Sequence, residues 1–220
     1  MYTFKDLIAI VKRLRAKDGC PWDRVQTHES LRGCMLEEAY EAVDAIDRSD
    51  VENLKEELGD VLMQVVMHAE IASEEGQFTL EEVIDGISEK LVRRHPHVFG
   101  MTEENSQDGV QKTWEEIKQI EKNEETAWDG LKRIPLVLPA CLRAQKIQKK
   151  MEKAGYHLAS VETMNTKIHD INLSTETLSE EIIGEVLFYI VLAARKAGID
   201  AEQALAEYNK EFVNKIIGQN

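Results

Sequence analysis

The sequence is poor in the residues that interrupt helices. Its 220 residues include 4 prolines and 12 glycines. No stretch alternates apolar and polar residues between hairpin turn signals, as the strands of a sheet would. Apolar residues recur instead at helical spacing along most of the chain, so we predict an all-α protein.

Cysteines, long apolar runs and excess positive charge are also lacking. The three cysteines are odd in number and widely spaced, which predicts reduced thiols and excludes a disulfide framework. Because no run of 18 apolar residues and no apolar signal region is present, we expect a soluble cytoplasmic protein without membrane contact. The net charge of −14 argues against binding a nucleic-acid polymer, whose phosphates require clustered lysine and arginine.

Helical periodicity divides the chain into elements and two larger parts. We predict helices near 3–17, 28–48, 51–75, 80–94, 108–124, 139–153, 161–171, 177–197 and 200–217. Asp50 and the Thr79/Glu82 pair are predicted N-terminal caps. Residues 126–138 are predicted to link a first helical domain, residues 1–125, to a second, residues 139–220.

An internal repeat favours two domains of one kind. GDVLMQVVMHA at 59–69 resembles GEVLFYIVLAA at 184–194, and KLVRR at 90–94 falls on EFVNK at 211–215. Repeated helical units usually bury their apolar faces against each other. The alternative is a chance likeness between amphipathic helices.

Acidic residues are concentrated on two consecutive predicted helices. LEEAYE (36–41) and EELGD (56–60) each bring three acids, although like charges three or four apart on a helix repel by about 0.2–0.5 kcal/mol per pair. On the first helix the acids lie opposite an apolar stripe, which taken alone is typical of a solvated acidic face. The stripe consists of Leu36, Ala39, Tyr40, Val43 and Ile46.

The second acidic helix favours a metal site instead. From Leu58 to Ala72 it is apolar nearly all round, as buried helices are, and its polar exceptions are Asp60, Gln64, His68 and Glu70. The first three share one narrow stripe with Glu57. Uncompensated buried carboxylates are costly, and a divalent cation would compensate them. Carboxylate ligands suit Mg²⁺ or Mn²⁺ rather than zinc or copper. No Glu-x-x-His motif occurs, which argues against a di-iron centre.

The motifs together resemble the MazG family of nucleoside triphosphate pyrophosphohydrolases. The resemblance rests on LEEAYEAVDAI, KEELGDVLMQVVMHAEIA and EKLVRRHPHVFG, with GCPWDRVQTHESL and WEEIK in the same pattern. It covers residues 1–155 closely and the remainder loosely. It implies tandem helical bundles of the four-helix type, Mg²⁺-dependent hydrolysis of an NTP to NMP and pyrophosphate with broad base specificity, and a homodimer.

The resemblance also implies roles for individual residues. The metal ligands would be Glu38, Glu41, Glu57 and Asp60. Glu37 and Glu56 would lie beside the metal, where one of them could orient or deprotonate the attacking water.

Further expectations concern the substrate. Lys90 and Arg94 are implied phosphate contacts, and their spacing of four places them on one helical face. Trp114 and Lys118 are implied to lie near the nucleotide, although Trp114 taken alone would be a core residue. The alternative for the two cations is a surface pair without a ligand.

Four other residues could have a function in the site, but we expect them to have structural roles. His95 and His97 flank Pro96 and are expected to have a structural role at a helix end. Trp22 and Asp23 are expected to shape a loop near the site.

The second copy departs from the pattern. Ile182, Glu185, Glu211 and Lys215 stand where the first copy has Glu57, Asp60, Lys90 and Arg94. We therefore expect a degenerate copy that serves packing and dimerisation. It keeps the predicted core positions, since Val186, Leu187, Val191 and Ala194 stand where Val61, Leu62, Val66 and Ala69 do.

Two other functions stay open at this point. The same helical fold serves phosphoribosyl-ATP pyrophosphohydrolase and dUTP- or dCTP-specific enzymes. A non-catalytic regulatory module that binds nucleotide is the alternative outside the enzymes.

Overall fold

The computed structural model describes residues 1–100, 127–156 and 179–217, together with five single residues: Gly109, Ile117, Glu121, Leu158 and Thr166. This part of the chain contains helices and no strand, so the predicted all-α class is confirmed. The predicted helices near 108–124 and 161–171 lie almost wholly outside it. The chain forms two compact units, Met1–Ile117 and Lys118–Asn220, and the predicted domain bounds stay a prediction.

The first unit contains five helices among its described residues. They are α1 (Phe4–Arg15), α2 (His28–Asp47), α3 (Val51–Glu74), α4 (Leu80–Arg94) and the single-turn α5 (Pro96–Phe99), with a short 3₁₀ turn at Asp23–Val25. α5 lies between the predicted helices at 80–94 and 108–124, where no helix was predicted. Pro96 stands at its first position, where the fixed φ of proline suits a helix start.

Local capping explains where these helices begin and end. Asp50 accepts the backbone N–H of Asn53 at the start of α3, and Thr79 and Glu82 form a capping box at α4. Both predicted caps are confirmed. Gly76 follows α3 with a φ of 67°, the left-handed conformation that glycine adopts most easily at a helix end.

The core of the first unit lies around the second half of α3. α2, α1 and α4 all pack on α3, and the buried cluster consists of Val11, Leu31, Val66, Met67, Ala69, Ile71 and Leu80. The prediction that α3 is buried from Leu58 onward is wrong for its first half. Leu58 is 55% exposed and Leu62 41% exposed, and the buried residues of the helix begin only at Gln64.

α2 packs on α3 with its small residues. Ala42 and Ala45 are buried against the unit, whereas the large apolar side chains of the predicted stripe point outward. Tyr40 is 58% exposed and Leu36 56% exposed. Of the acids on the opposite face, Glu38 alone is half-buried and the others are exposed, so the solvated face that the isolated helix suggests is corrected only at Glu38.

The loop between α1 and α2 is held by one buried cation. The side chain of Arg15 is 5% exposed and forms a two-pronged ion pair with Glu74. The same guanidinium donates to the carbonyl oxygens of Asp23 at 2.6 Å and Gln26 at 3.2 Å. Arg15 thus ties the entrance of α2 to the end of α3.

The second unit contains four helices in its described part: α6 (Ala127–Lys132), α7 (Ala140–Lys153), α8 (Glu180–Lys196) and α9 (Ala201–Ile217). α7 packs on the other three. Val191 and Leu192 are buried, as the repeat predicts for Val191, but Leu187 is 51% exposed. Leu62 and Leu187, the matching positions of the repeat, are thus both surface residues of their units, which corrects their prediction as core.

Candidate metal centre

The α2–α3 hairpin brings the two acidic motifs together. A short turn at Ser49 and Asp50 joins the helices, which pack along each other. Glu41 and Glu57 are each eight residues from Ser49, and Glu38 and Asp60 are each eleven residues from it. In an antiparallel pair, residues equally distant from the turn lie side by side, so both motifs reach the same level of the hairpin.

Three carboxylates meet at this level. Oxygen atoms of Glu38, Glu41 and Glu57 all lie within 4.8 Å of one another. Among the described residues this is the one place where three or more histidine, cysteine, aspartate or glutamate side chains come so close. Glu38 and Glu57 are half-buried and Glu41 is exposed, so the cluster opens to solvent on one side.

The cluster is electrostatically unfavourable without a counter-charge. Partial burial raises the pKa of Glu38, and the negative charges of Asp60, Glu41 and Glu37 raise it further. Partial burial also raises the pKa of Glu57, with added contributions from Glu41 and Glu38. Both shifts mean that Glu38 and Glu57 lose their protons less readily in the folded protein than in the unfolded chain. Carboxylate oxygens that repel each other in this way are the type of ligand that a hard divalent cation binds.

The remaining predicted acids surround these three. Asp60 is half-buried and stands outside the group of three, but its charge acts on the pKa of both Glu38 and Glu57. Glu37 and Glu56 are exposed neighbours on α2 and α3. The structure therefore gathers all six acids of the two motifs around one level of the hairpin, with three in direct proximity.

Only two of the four predicted substrate contacts lie in the described part of the chain. Lys90 and Arg94 are half-buried on α4, which packs on α3. Trp114 and Lys118 lie outside the described residues. His95 is the C-cap of α4, and its Nδ1 lies 2.7 Å from the carbonyl oxygen of Leu91.

A polar seam continues from the acids along the same hairpin. Gln64 is 3% exposed, and its Oε1 has no hydrogen-bond partner in the described part of the chain. One turn further, Nδ1 of His68 lies 2.8 Å from Nδ1 of His28, with the rings stacked. Burial lowers the pKa of His68, and the charge of His28 lowers it further.

The histidine pair was not predicted from the sequence, although the position of one of its members was. The helical period already places Gln64 and His68 on the stripe of Glu57 and Asp60. The partner His28 stands forty residues away, and only the register of the hairpin makes the two rings meet.

The second unit has no comparable cluster among its described residues. Glu185, at the position of Asp60 in the repeat, is exposed, and Ile182 replaces Glu57. Glu211 and Lys215 are exposed on α9. All three cysteines are free and half-buried. In the part of the chain that the structure describes, no helix combines the length and the apolar character that crossing a membrane requires.

Comparison with known proteins identifies close relatives. A family model described as the MazG nucleotide pyrophosphohydrolase domain matches residues 26–99, which include all six acids of the two motifs as well as Lys90 and Arg94. The "Nucleoside triphosphate pyrophosphohydrolase/pyrophosphatase MazG" of Thermotoga maritima is 41% identical over 96% of this chain and 83% of its own length. The "Nucleoside triphosphate pyrophosphohydrolase" of Escherichia coli K12 is 39% identical over 94% of this chain and 82% of its own.

Two further relatives are an uncharacterised protein and a solved structure. An uncharacterised Bacillus subtilis protein, YabN, is 41% identical over 96% of this chain, which spans 45% of that longer protein. The crystal structure of a "mazG-related protein" from Thermotoga maritima is 30% identical, covering 52% of this chain and 98% of its own, with a TM-score of 0.47.

Proposed function

The chain belongs to the MazG nucleotide pyrophosphohydrolase family, and we propose that it hydrolyses nucleoside triphosphates to the monophosphate and pyrophosphate with Mg²⁺, or Mn²⁺ in its place. The observation that carries this proposal is the group of three carboxylates within 4.8 Å on the α2–α3 hairpin. Its donors fit such a cation because they are all oxygens and their charges are uncompensated.

The proposed metal ligands are Glu38, Glu41, Glu57 and Asp60. When bound, Mg²⁺ supplies positive charge that neutralises these acids and the substrate phosphates and makes water more acidic. The raised pKa values of Glu38 and Glu57 support this assignment, since burial and neighbouring negative charges both disfavour the charged carboxylates and a cation would offset the repulsion between them.

A glutamate of the chain would then orient the attacking water and accept its proton. One of Glu37 and Glu56, both exposed beside the cluster, accepts a proton from the water that attacks the α-phosphorus. A bond forms from the water oxygen to phosphorus, and the bond from phosphorus to the bridging oxygen breaks. Pyrophosphate leaves with that electron pair, so no covalent intermediate on the protein is needed.

Lys90 and Arg94 are the proposed phosphate clamp. Arg94 and Asp60 are each seventeen residues from Gln77, which lies in the turn between α3 and α4. If α4 follows α3 in antiparallel packing, Arg94 lies level with the acids and Lys90 lies one turn away. Two cations there would offset the charge that develops on the leaving pyrophosphate.

Base preference and assembly complete the proposal. We place the enzyme among nucleotide-pool pyrophosphohydrolases of broad base specificity, with Trp114 and Lys118 near the nucleotide. The assembly proposed is a homodimer, because large apolar side chains point away from the first unit on α2 and exposed apolar patches mark interaction surfaces.

The deciding experiment measures pyrophosphate release from a panel of NTPs and dNTPs with Mg²⁺, with Mn²⁺ and in EDTA. We expect release to require the metal. Asp60→Asn should lower kcat at least about a hundredfold, a magnitude typical for loss of one charge-stabilising group in an active site. Lys90→Ala and Arg94→Ala should each lower kcat/KM roughly ten- to a hundredfold.

The internal repeat provides a matched control. Glu185→Gln changes the corresponding position of the second unit and should leave kcat within about twofold of wild type. Normal turnover in Asp60→Asn, or loss of turnover in Glu185→Gln, would contradict the site. Activity confined to dUTP or dCTP would replace the broad specificity, and nucleotide binding without turnover would indicate a regulatory module.

A further inference from the structure

One polar side chain in the core of the first unit has no partner for its oxygen. Gln64 on α3 is 3% exposed, and its Oε1 accepts no hydrogen bond within the described part of the chain. A buried acceptor without a donor destabilises a fold, whereas an apolar side chain of the same shape does not. An unsatisfied acceptor of this kind therefore indicates a donor that does not belong to the chain.

The described neighbours of Gln64 on the hairpin are poor donors. Val65 and Val66 are apolar and pack in the core of the unit. The residue of α2 at the same distance from Ser49 as Gln64 is Cys34, whose S–H group is a weak donor. One turn later on α3, Nδ1 of His68 is engaged with Nδ1 of His28 at 2.8 Å. The donor that fits these surroundings is a water molecule, which commonly satisfies buried polar groups.

The helix directs the side chain of Gln64 toward the acids. Cα–Cβ bonds in a helix tilt toward its N-terminus, and long side chains lean onto the residues three and four positions earlier. Four positions before Gln64 stands Asp60, and Glu57 precedes it on the same stripe. Glu38 faces Asp60 from α2, since both are eleven residues from Ser49. We therefore place the amide of Gln64 between the core and the carboxylate cluster.

The internal repeat supports a link between this glutamine and the acids. In the second copy, Tyr189 stands at the position of Gln64 and Ile182 at the position of Glu57. The described residues of that copy contain no acidic cluster. The buried amide thus occurs in the copy that has the carboxylates, and the copy without them has a different residue there.

We propose that Oε1 of Gln64 accepts a hydrogen bond from a water molecule of the metal centre and positions that water beside the carboxylates. This inference rests on the proposed metal-dependent function. A carbonyl oxygen accepts the hydrogen bond without adding charge. A carboxylate at the same place would add to the repulsion among Glu38, Glu41 and Glu57. Gln64 is thus a positioning residue and not a metal ligand.

The test replaces Gln64 in the full chain by methionine, an unbranched and adaptable apolar side chain. In EDTA, Gln64→Met should raise the urea midpoint, because the fold no longer buries an unsatisfied acceptor. Its affinity for Mn²⁺ alone, measured by the electron paramagnetic resonance of the free ion, should fall about tenfold, as for other residues that orient a metal's ligands. A residue with a merely structural role would not combine a more stable fold with weaker metal binding.

Turnover provides a second measurement on the same variant. With saturating Mg²⁺, kcat for pyrophosphate release by Gln64→Met should fall about tenfold or more, because the water is no longer held. KM for the NTP should stay within about twofold of wild type, since Gln64 is not proposed to contact the substrate.

Gln148 in the second unit provides the matched control. It is also buried, but its amide is satisfied: Nε2 donates to the carbonyl oxygen of Phe188 at 2.9 Å, and Oε1 accepts from Nε of Arg195 at 3.3 Å. Gln148→Met removes both hydrogen bonds and should therefore lower the urea midpoint in EDTA. Its affinity for Mn²⁺ should equal that of wild type.

Gln64→Glu keeps an acceptor oxygen at the same position and serves if the methionine variant does not fold. In EDTA at neutral pH it should be less stable than wild type, because it adds a buried charge beside the acids. Its affinity for Mn²⁺ should equal or exceed that of wild type, since the acceptor remains. Weaker Mn²⁺ binding by Gln64→Glu than by wild type would overturn the proposal.

The remaining outcomes separate this proposal from the proposed function. If wild type binds Mn²⁺ and Gln64→Met binds it equally well, the metal centre stands and the role of Gln64 is wrong. A lower urea midpoint for Gln64→Met in EDTA would mean that its amide already has a partner in the fold, which also overturns the proposal. If wild type binds no Mn²⁺, the proposed function fails, and the role of Gln64 fails with it.

Discussion

At the scale of single residues, the glutamates of the hairpin stand where folding alone disfavours their charge. The pKa of Glu57 is raised, first by partial burial and then by its acidic neighbours. In the metal-free protein, a raised pKa means that the folded state gains stability below the ordinary pKa of 4.5 and loses it as the pH rises. At neutral pH the charges of these acids therefore lower the stability of the fold, which the proposed cation would offset.

Glu57→Gln should consequently change stability and activity in opposite directions. In EDTA at neutral pH we expect a higher unfolding temperature than wild type, because one repelling charge is removed. With Mg²⁺ present, turnover should fall at least about a hundredfold, and Mg²⁺ should stabilise the variant less than the wild type. Thermal unfolding followed by circular dichroism, with and without the metal, measures both effects.

The control for this variant is Glu52→Gln on the same helix. Glu52 is exposed and pairs with Lys55, so its loss should leave unfolding in EDTA unchanged or slightly lower. A lower unfolding temperature for Glu57→Gln in EDTA would mean that this glutamate stabilises the fold, and the metal assignment would lose its electrostatic basis.

The His28–His68 pair makes the first unit sensitive to acid. Burial first and His28 second hold the pKa of His68 below its ordinary 6.5. The unfolded chain then takes up a proton that the folded chain resists. The stability that neutral His68 contributes is full above the ordinary value and falls as the pH drops through it.

His68→Gln should therefore flatten this dependence. We expect the urea midpoint of the wild type to fall between neutral pH and about pH 5.5, near the low end of histidine titration, and the midpoint of the variant to change less. His97→Gln, which alters a histidine of α5 instead, serves as the matched control and should keep the wild-type slope. Equal slopes in all three proteins would remove the histidine pair as the cause.

At the scale of elements, two helix ends use the same motif with different residues. After α2, Asp50 donates to the carbonyl oxygen of Ala45, and Ser49 has a φ of 56°. After α3, Gln77 donates to Ala72 in the same pattern, and the left-handed position is Gly76. Only the turn after α3 has glycine at the left-handed position, where glycine is the favoured residue.

Exchanging the residue at these two turns should shift stability in opposite directions. Ser49→Gly relieves left-handed strain and should stabilise by about 0.5–1 kcal/mol, after allowing for the greater freedom of glycine in the unfolded chain. Gly76→Ala introduces the strain, with nothing near its new Cβ, and should destabilise by about 1 kcal/mol. Urea unfolding measures both; a destabilised Ser49→Gly would show that the serine side chain itself holds the turn.

The caps of α3 and α4 and the approach of the two acidic motifs were predictable from the sequence, because both depend on local contacts. Caps such as Asp50 and Thr79 act within four residues, and a three-residue connection, residues 48–50, brings the acids of α2 and α3 to the same level. The inner face of α2 was not predictable from its apolar stripe. Ala42 and Ala45 let the helices approach closely and leave room for the carboxylates, a choice that depends on packing rather than on hydrophobicity.

At the scale of the whole molecule, the outward stripe of α2 is the surface that the proposed homodimer would bury. Large apolar side chains such as Tyr40 and Val43 are more than half exposed in the first unit. Under the proposed homodimer, charges introduced there should prevent association. Tyr40→Lys with Val43→Lys should elute as a single chain in light scattering, whereas the wild type should have twice that mass.

Exposed positions outside the stripe provide the comparison. Glu29→Lys, in the first turn of α2, should keep the wild-type mass. A wild-type protein that is a monomer at micromolar concentration would contradict the dimer, and so would a double variant of unchanged mass.

The short turn at Ser49 also has a consequence for the order of events during synthesis. Glu41 and Glu57 are sixteen residues apart, and closing a loop of that size carries a small entropic cost. Local contacts of this kind form early in folding, and N-terminal segments leave the ribosome first. All six acids can therefore be gathered on their hairpin while the second unit is still being translated.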